Sequence, residues 1–208
     1  MPLPSINEDL LDAIDRLDVD AVRNSRAQVN YLDVLTGNTP LMSICDRSPE
    51  RLRSMSADSE RLQLQIAHLL IEHGANINQE PTTSQNMMPL ASAVRWNNYP
   101  LVKLLLEEGA NPNKLVYYKR KFTFTILESA FFRQRSPYRI AELLLKHGAD
   151  PTKVRFGNKQ GILDLPRKDE LPEHVQGLID NYTQGPVDFT QSNPFVFVRF
   201  YSVYRGGG

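Results

Sequence analysis

The chain has 208 residues, 41% of them apolar and 23% charged, enough for one large or two small domains with a packed core. Twenty-four Lys and Arg balance twenty-four Asp and Glu, so the formal net charge is zero. That balance argues against wholesale binding to nucleic acid or an anionic membrane, although a local basic patch stays open. A single cysteine excludes an intrachain disulfide and fits a reducing compartment. The expected location is therefore the cytoplasm, with export into a host cell's cytosol as the alternative. No run of eighteen apolar residues marks a transmembrane helix, and residues 1–9 lack the basic start and apolar core of a signal peptide.

In chain order, Ser5 and Glu8 make a capping-box pattern at a helix start. Leu10, Leu11, Ile14, Leu17, Ala21 and Val22 follow at helical spacing, with a break near residues 17–20. The spacing predicts a helix, a tight turn and a second short helix. Residues 29–37 are a turn-rich connector. Thr39, Pro40 and Leu41 open a second unit, with Pro40 placed where a helix's first turn needs no N–H and Leu41, Ile44 and Cys45 facing inward. From Leu41 to Gly74 the chain runs 33 residues, against 19 from Leu90 to Gly109. The second unit therefore carries an insertion at about residues 47–62, predicted as a short helix after Ser48 and a lengthened helix capped at residues 56–59 and ending at His73. Such insertions are tolerated in connections.

Met88, Pro89 and Leu90 open a third unit, where Ala91 and Ala93 permit close helix packing. Residues 101–113 read as one amphipathic helix stopped by Gly109, then a turn. Thr125, Ile126 and Leu127 open a fourth unit, and residues 161–165 a degenerate fifth, in which Leu171, Val175, Leu178 and Ile179 supply one apolar face. After Asp180 the texture changes. Residues 195–204 are dense in aromatic and β-branched side chains, which favours an extended strand. Three roles stay open for residues 183–208: a cover for the last unit, a strand added to a partner, or the start of a missing domain. Gly206, Gly207 and Gly208 read as a linker scar or the cut end of a longer protein.

One pattern occurs three times: Leu69, Leu70, Gly74, Ala75 and Asn76; then Leu104, Leu105, Gly109, Ala110 and Asn111; then Leu143, Leu144, Gly148, Ala149 and Asp150. These copies interleave with the openings at Thr39, Met88 and Thr125. The chain resembles ankyrin repeat proteins, whose unit is a β-turn and two antiparallel helices. The resemblance covers about residues 7–182. It implies an all-α solenoid of about five helix-turn-helix units (residues 5–37, 38–82, 83–118, 119–156 and 157–182) with an extended, β-like tail at 183–208. Ile126 departs from the pattern by replacing its proline. Physics supports the pattern independently: a glycine past each helix can take the left-handed conformation that ends it, and one helix pair cannot bury both faces, so neighbours stack.

No catalytic constellation emerges. Cys45 reads as a small buried hydrophobe rather than a nucleophile. His68, His73, His147 and His174 lack metal-ligand spacing, and His73 and His147 share one repeat position at a helix C-terminus. No phosphate loop, nucleophile elbow or zinc motif is present. A non-enzymatic protein without cofactor or metal is expected, monomeric by itself.

The resemblance implies an interaction module, an adaptor or scaffold binding a protein or peptide through a concave groove. The groove positions are Asp46, Arg47, Arg95, Trp96, Phe132 and Arg133, with Tyr99 nearby. A lone tryptophan beside an arginine has the composition of a binding hot spot; packing against the neighbouring repeat is the competing reading for Trp96. Lys119, Arg120 and Lys121, interleaved with Tyr117, Tyr118, Phe122 and Phe124, read either as a solvated loop or as a finger for an acidic partner, peptide or phosphate. Two other functions stay open: a secreted effector or adaptor reaching a host target by its tail, and the targeting half of a larger enzyme. Asn78 and Asn113, each eight residues after a leucine (Leu70, Leu105), also resemble the sites that asparagine hydroxylases modify in some ankyrin repeat proteins.

Overall fold

The computed structural model describes residues 6–83, 87–118, 122–133, 138–154 and 166–183. Leu10, Ala13 and Ile14 lie on one side of α1 (Ile6–Arg16) and are buried. The helix ends at Leu17, which takes φ +58°, and the chain reverses into α2 (Val19–Asn24). Asp18 caps α2 by accepting the Ala21 N–H at 2.9 Å. The same reversal joins α6 (Pro89–Arg95) to α7 (Tyr99–Glu107), with Asn97 at φ +54°. In both turns the next residue's N–H reaches back five residues, Asp18 to Ala13 at 2.9 Å and Asn98 to Ala93 at 3.0 Å. This local geometry sets the two helices of a unit antiparallel.

The second unit contains the predicted insertion as ordered structure. After α3 (Pro40–Cys45), capped by Thr39 with Pro40 in the first turn, comes α4 (Pro49–Met55), capped by Ser48. Then α5 (Ser59–Glu72) runs to His73. The start of α5 differs in detail from the expected cap: Asp58 holds the cap position without a side-chain cap bond, and Ser56 accepts the Asp58 N–H at 3.2 Å instead. Leu52, fully buried, anchors α4.

The entry to the fourth unit corrects the solvated-loop reading on either side of Lys119–Lys121, where the chain forms strands. A two-stranded antiparallel hairpin forms from β1 (Leu115–Tyr118) and β2 (Phe122–Thr125), with Val116 opposite Phe124. Alternation explains it: Val116 and Phe124 form a buried cross-strand pair while Leu115 turns outward. Helix α8 (Ile126–Arg133) follows directly. Thr125 Oγ1 accepts the Glu128 N–H at 3.0 Å, and the Glu128 carboxylate accepts the Thr125 N–H at 2.8 Å. This reciprocal box starts the helix without the proline that Ile126 replaces. Then come α9 (Arg139–Lys146), short 3-10 turns at Pro151–Lys153 and Lys168–Glu170, and α10 (Glu173–Thr183). Val175 and Ile179 bury one side of α10. Residues 161–165 and the tail at 184–208 lie outside the described residues.

Stacking makes two rows. Helices α1, α3, α6 and α8 form the inner row, and α2, α5, α7, α9 and α10 the outer row, each against its neighbour. The leucines of residues 101–106 serve this stacking: Leu101, Leu105 and Leu106 are buried. Gly74, Gly109 and Gly148 end the outer helices at φ +87°, +94° and +85°.

Three asparagines then tie unit to unit. Asn30 donates to the Gly74 carbonyl at 2.9 Å and accepts the Asn76 N–H at 2.6 Å. Asn78 does the same to Gly109 (3.3 Å) and Asn111 (2.7 Å). Asn113 repeats it with Gly148 (2.8 Å) and Asp150 (2.7 Å). Buried Gln63 adds an internal tie, donating to the Ile44 carbonyl and accepting from the Asn98 side chain, both at 2.8 Å.

Candidate functional site: the inner-helix ends

The inner row brings the C-terminal ends of α3, α6 and α8 side by side. Asp46 caps α3 and Trp96 caps α6. The indole Nε1 of Trp96 donates to the Asp46 carboxylate at 2.7 Å, and the Arg95 guanidinium lies over the indole at 4.9 Å from the ring centroid. Arg95, Trp96 and Asp46 are all half-buried. Packing and surface presentation therefore coincide in Trp96: one edge is held by the neighbouring unit while part of the ring stays open to solvent.

Other sequence-predicted positions are distributed differently. Phe132 is half-buried and packs against the core. Tyr99 stands at the start of the outer helix α7, its ring covered by the Arg139 guanidinium at 4.4 Å. Arg47 is 2% exposed; its Nη2 meets the Asp15 carboxylate at 2.6 Å. Burial pushes the Arg47 pKa down, and the Asp15 charge opposes that. Its guanidinium is engaged at the boundary between the first two units. Lys119, Arg120 and Lys121 lie outside the described residues, as does the side chain of Arg133. Asn78 and Asn113 have their side-chain amides engaged in the inter-unit ties given above.

The structure also shows features that the motifs did not single out. The turn at residues 33–38 is closed by its own hydrogen bonds. The Asp33 N–H donates to the Asn38 carbonyl at 2.9 Å, and the Gly37 N–H to the Asp33 carbonyl at 2.7 Å. The Asp33 carboxylate accepts from the Thr36 hydroxyl and N–H at 2.5 and 2.8 Å. The Thr36 hydroxyl in particular holds the Asp33 carboxyl below the usual carboxylate range. At the tip, Val34 is 96% and Leu35 94% exposed. An apolar pair inside a turn was the available signal, and the connector reading passed over it.

As for chemistry, Cys45 is buried, and desolvation pushes its thiol well above the ordinary range, which makes it a packing residue. His73 and His147 cap α5 and α9 at their C-termini. Among the described residues no three His, Cys, Asp or Glu side chains are placed to hold a metal ion, and no helix is long and apolar enough to cross a membrane.

Known proteins share this architecture. The family model for ankyrin repeats (3 copies) matches residues 7–116 and 63–155. The protein named as ankyrin repeat protein R599 of Acanthamoeba polyphaga mimivirus is 47% identical over 60 residues, 29% of this chain and 15% of that one. Ankyrin repeat protein R664 of the same virus is 29% identical over 103 residues, 49% of this chain and 56% of the relative. Ankyrin repeat protein FPV031 of Fowlpox virus (strain NVSL) is 29% identical over 85 residues, 40% of this chain and 25% of the relative. The chain thus spans less than two thirds of the length of each of these relatives. With the three repeated signatures, the two helix rows and this family match in agreement, the chain belongs to the ankyrin repeat family.

Proposed function

We propose that the chain is a non-enzymatic adaptor or scaffold that captures a protein or peptide on the surface formed by Asp46, Arg95 and Trp96. Ankyrin repeats generally mediate protein–protein interaction, and the stacked units here make an extended surface. The observation that carries the reading is the Trp96 arrangement. The chain's one tryptophan is pinned by Asp46 from the preceding unit and covered by Arg95, yet it is only partly buried. Such a pre-ordered aromatic loses little entropy on binding, the property of a hot spot. Arg95, with the basic residues Lys119, Arg120, Lys121 and Arg133 of the sequence, favours an acidic segment of the partner.

Replacing Arg95→Glu together with Trp96→Ala tests it. Partner capture is expected to be lost while far-ultraviolet circular dichroism stays unchanged. An unaltered set of captured proteins would remove this surface from the function. The viral origin of the relatives favours a second reading, an effector working in a host cell's cytosol. Proximity labelling in infected or transfected host cells tests that reading, and labelling confined to the producing organism's own proteins counts against it.

A further inference from the structure

A second recognition element lies at the other end of the surface. A cleft of about 840 Å³ opens between the turn at residues 33–38 and the first helices of units one and two. Its volume falls in the range of pockets that enclose several side chains of a ligand. One wall is apolar: Val34 and Leu35 line it and stand 96% and 94% exposed. The turn beneath them is locked by the Asp33–Thr36 bonds and by Gly37 at φ +70°, so the pair is displayed by design of the backbone rather than by fraying. Neither side chain contributes to the core.

The other walls are acidic. Asp12, Asp15, Asp33 and Asp46 line the cleft, against Arg47 and Arg51. Both arginines converge on Asp15, at 2.6 and 3.8 Å. Asp46 is partnered by a neutral indole. Asp12 is exposed and makes no ion pair among the described residues. Two arginines against four carboxylates leave the cleft a net charge of −2, with Asp12, Asp33 and Asp46 in no ion pair among the described residues, next to an apolar wall.

We infer that this cleft takes a partner segment in which a lysine or arginine lies beside aliphatic or aromatic residues. The cation meets Asp12 and Asp46, and the apolar neighbours cover Val34 and Leu35. Charge complementarity selects this class: an acidic segment would meet like charge, and a purely apolar one would leave the carboxylates desolvated without partners. The inference rests on the interaction-module reading and gives it a direction. Asp46 belongs to both elements, so a bound chain runs from a basic-apolar segment at units one and two toward an acidic one at unit three.

The test is selection of a phage-displayed random dodecapeptide library on the full chain, followed by fluorescence anisotropy of the enriched peptides made synthetically. Enrichment of sequences with Lys or Arg next to aliphatic or aromatic residues is expected. Their affinity should fall about tenfold with Asp12→Lys, which removes a carboxylate, and likewise with the double change Val34→Ser and Leu35→Ser, which removes the apolar wall without adding charge. These positions are exposed, so unchanged circular dichroism is expected to accompany the loss. Binding should also weaken with added salt. Absence of basic-apolar sequences from the enriched pool, or affinities of such peptides untouched by either variant, overturns the inference. Loss of binding by Arg95→Glu with Trp96→Ala alone, with the cleft variants binding normally, would leave the proposed function standing and remove only the cleft.

Discussion

Trp96 donates its indole N–H to Asp46 at 2.7 Å, although 50 residues separate the two in sequence. Because Trp96 is the chain's single tryptophan, intrinsic fluorescence reports this contact without a label. Asp46→Ala should move the emission maximum to longer wavelength as the indole gains water. It should also cost about 1–2 kcal/mol in urea unfolding, the usual worth of a charge-assisted bond at a partly buried site. An unchanged spectrum and midpoint would mean that the indole is held by packing alone.

The Arg47–Asp15 pair tests burial against partner contact. Arg47 is 2% exposed, and its Nε has no hydrogen-bond partner. Asp15→Ala would strand a buried cation and should cost about 1–3 kcal/mol, less than a fully buried pair because the Asp15 side chain is 62% exposed. Arg47→Met keeps most of the volume without the charge and should cost less than Asp15→Ala in the same denaturation experiment. The opposite order would sink the burial account.

The asparagine ties predict a repeating stability effect. Asn78→Ala and Asn113→Ala each remove two inter-unit bonds. The freed backbone groups are near water, so a loss of about 1–2 kcal/mol apiece is expected. Asn111 links the two sites, giving its N–H to Asn78 and accepting the Asn113 N–H at 2.9 Å, so the double variant should depart from additivity. A cost near zero would show that the ladder is incidental to stacking. Hydroxylation at the same two residues is checked separately: after co-expression with an asparagine hydroxylase, intact mass should show added oxygen, and an unchanged mass removes the idea.

The turn below the cleft should respond to acid. The Thr36 hydroxyl and then the Thr36 backbone N–H hold the Asp33 pKa below its ordinary value. A depressed carboxyl contributes stability that is fully present above the unfolded-state pKa and lost as pH falls through the lower folded value. The turn is therefore expected to be intact at neutral pH and to loosen only below the ordinary carboxylate range. Nuclear magnetic resonance of the Thr36 N–H and the Val34 and Leu35 methyls checks this. Asp33→Asn should abolish the acid transition, and a transition that survives in this variant belongs to another group.

The repeated Leu-Leu and Gly-Ala signatures made the helix rows legible, because a solenoid writes its core contacts at a nearly constant spacing. The extra helix in unit two was legible for a related reason: the spacing stretched, and Ser48 and Pro49 carry a helix-start signal. The hairpin at residues 115–125 was not, since four-residue strands rich in aromatic side chains read equally well as a loop until Val116 and Phe124 are seen to share a buried face.

At the level of single side chains the division is sharper. By itself the sequence determined the family, the register of the units and the position of Arg95 and Trp96 at an inner-helix end. Only the tertiary structure decided that Asp46 holds Trp96, that Arg47 turns away to Asp15, and that Val34 and Leu35 face a carboxylate-lined cleft. The reason is physical. Local periodicity encodes which face of a helix is apolar, but which charges meet across a unit boundary depends on the rotation and spacing of stacked helices, set by the whole core at once.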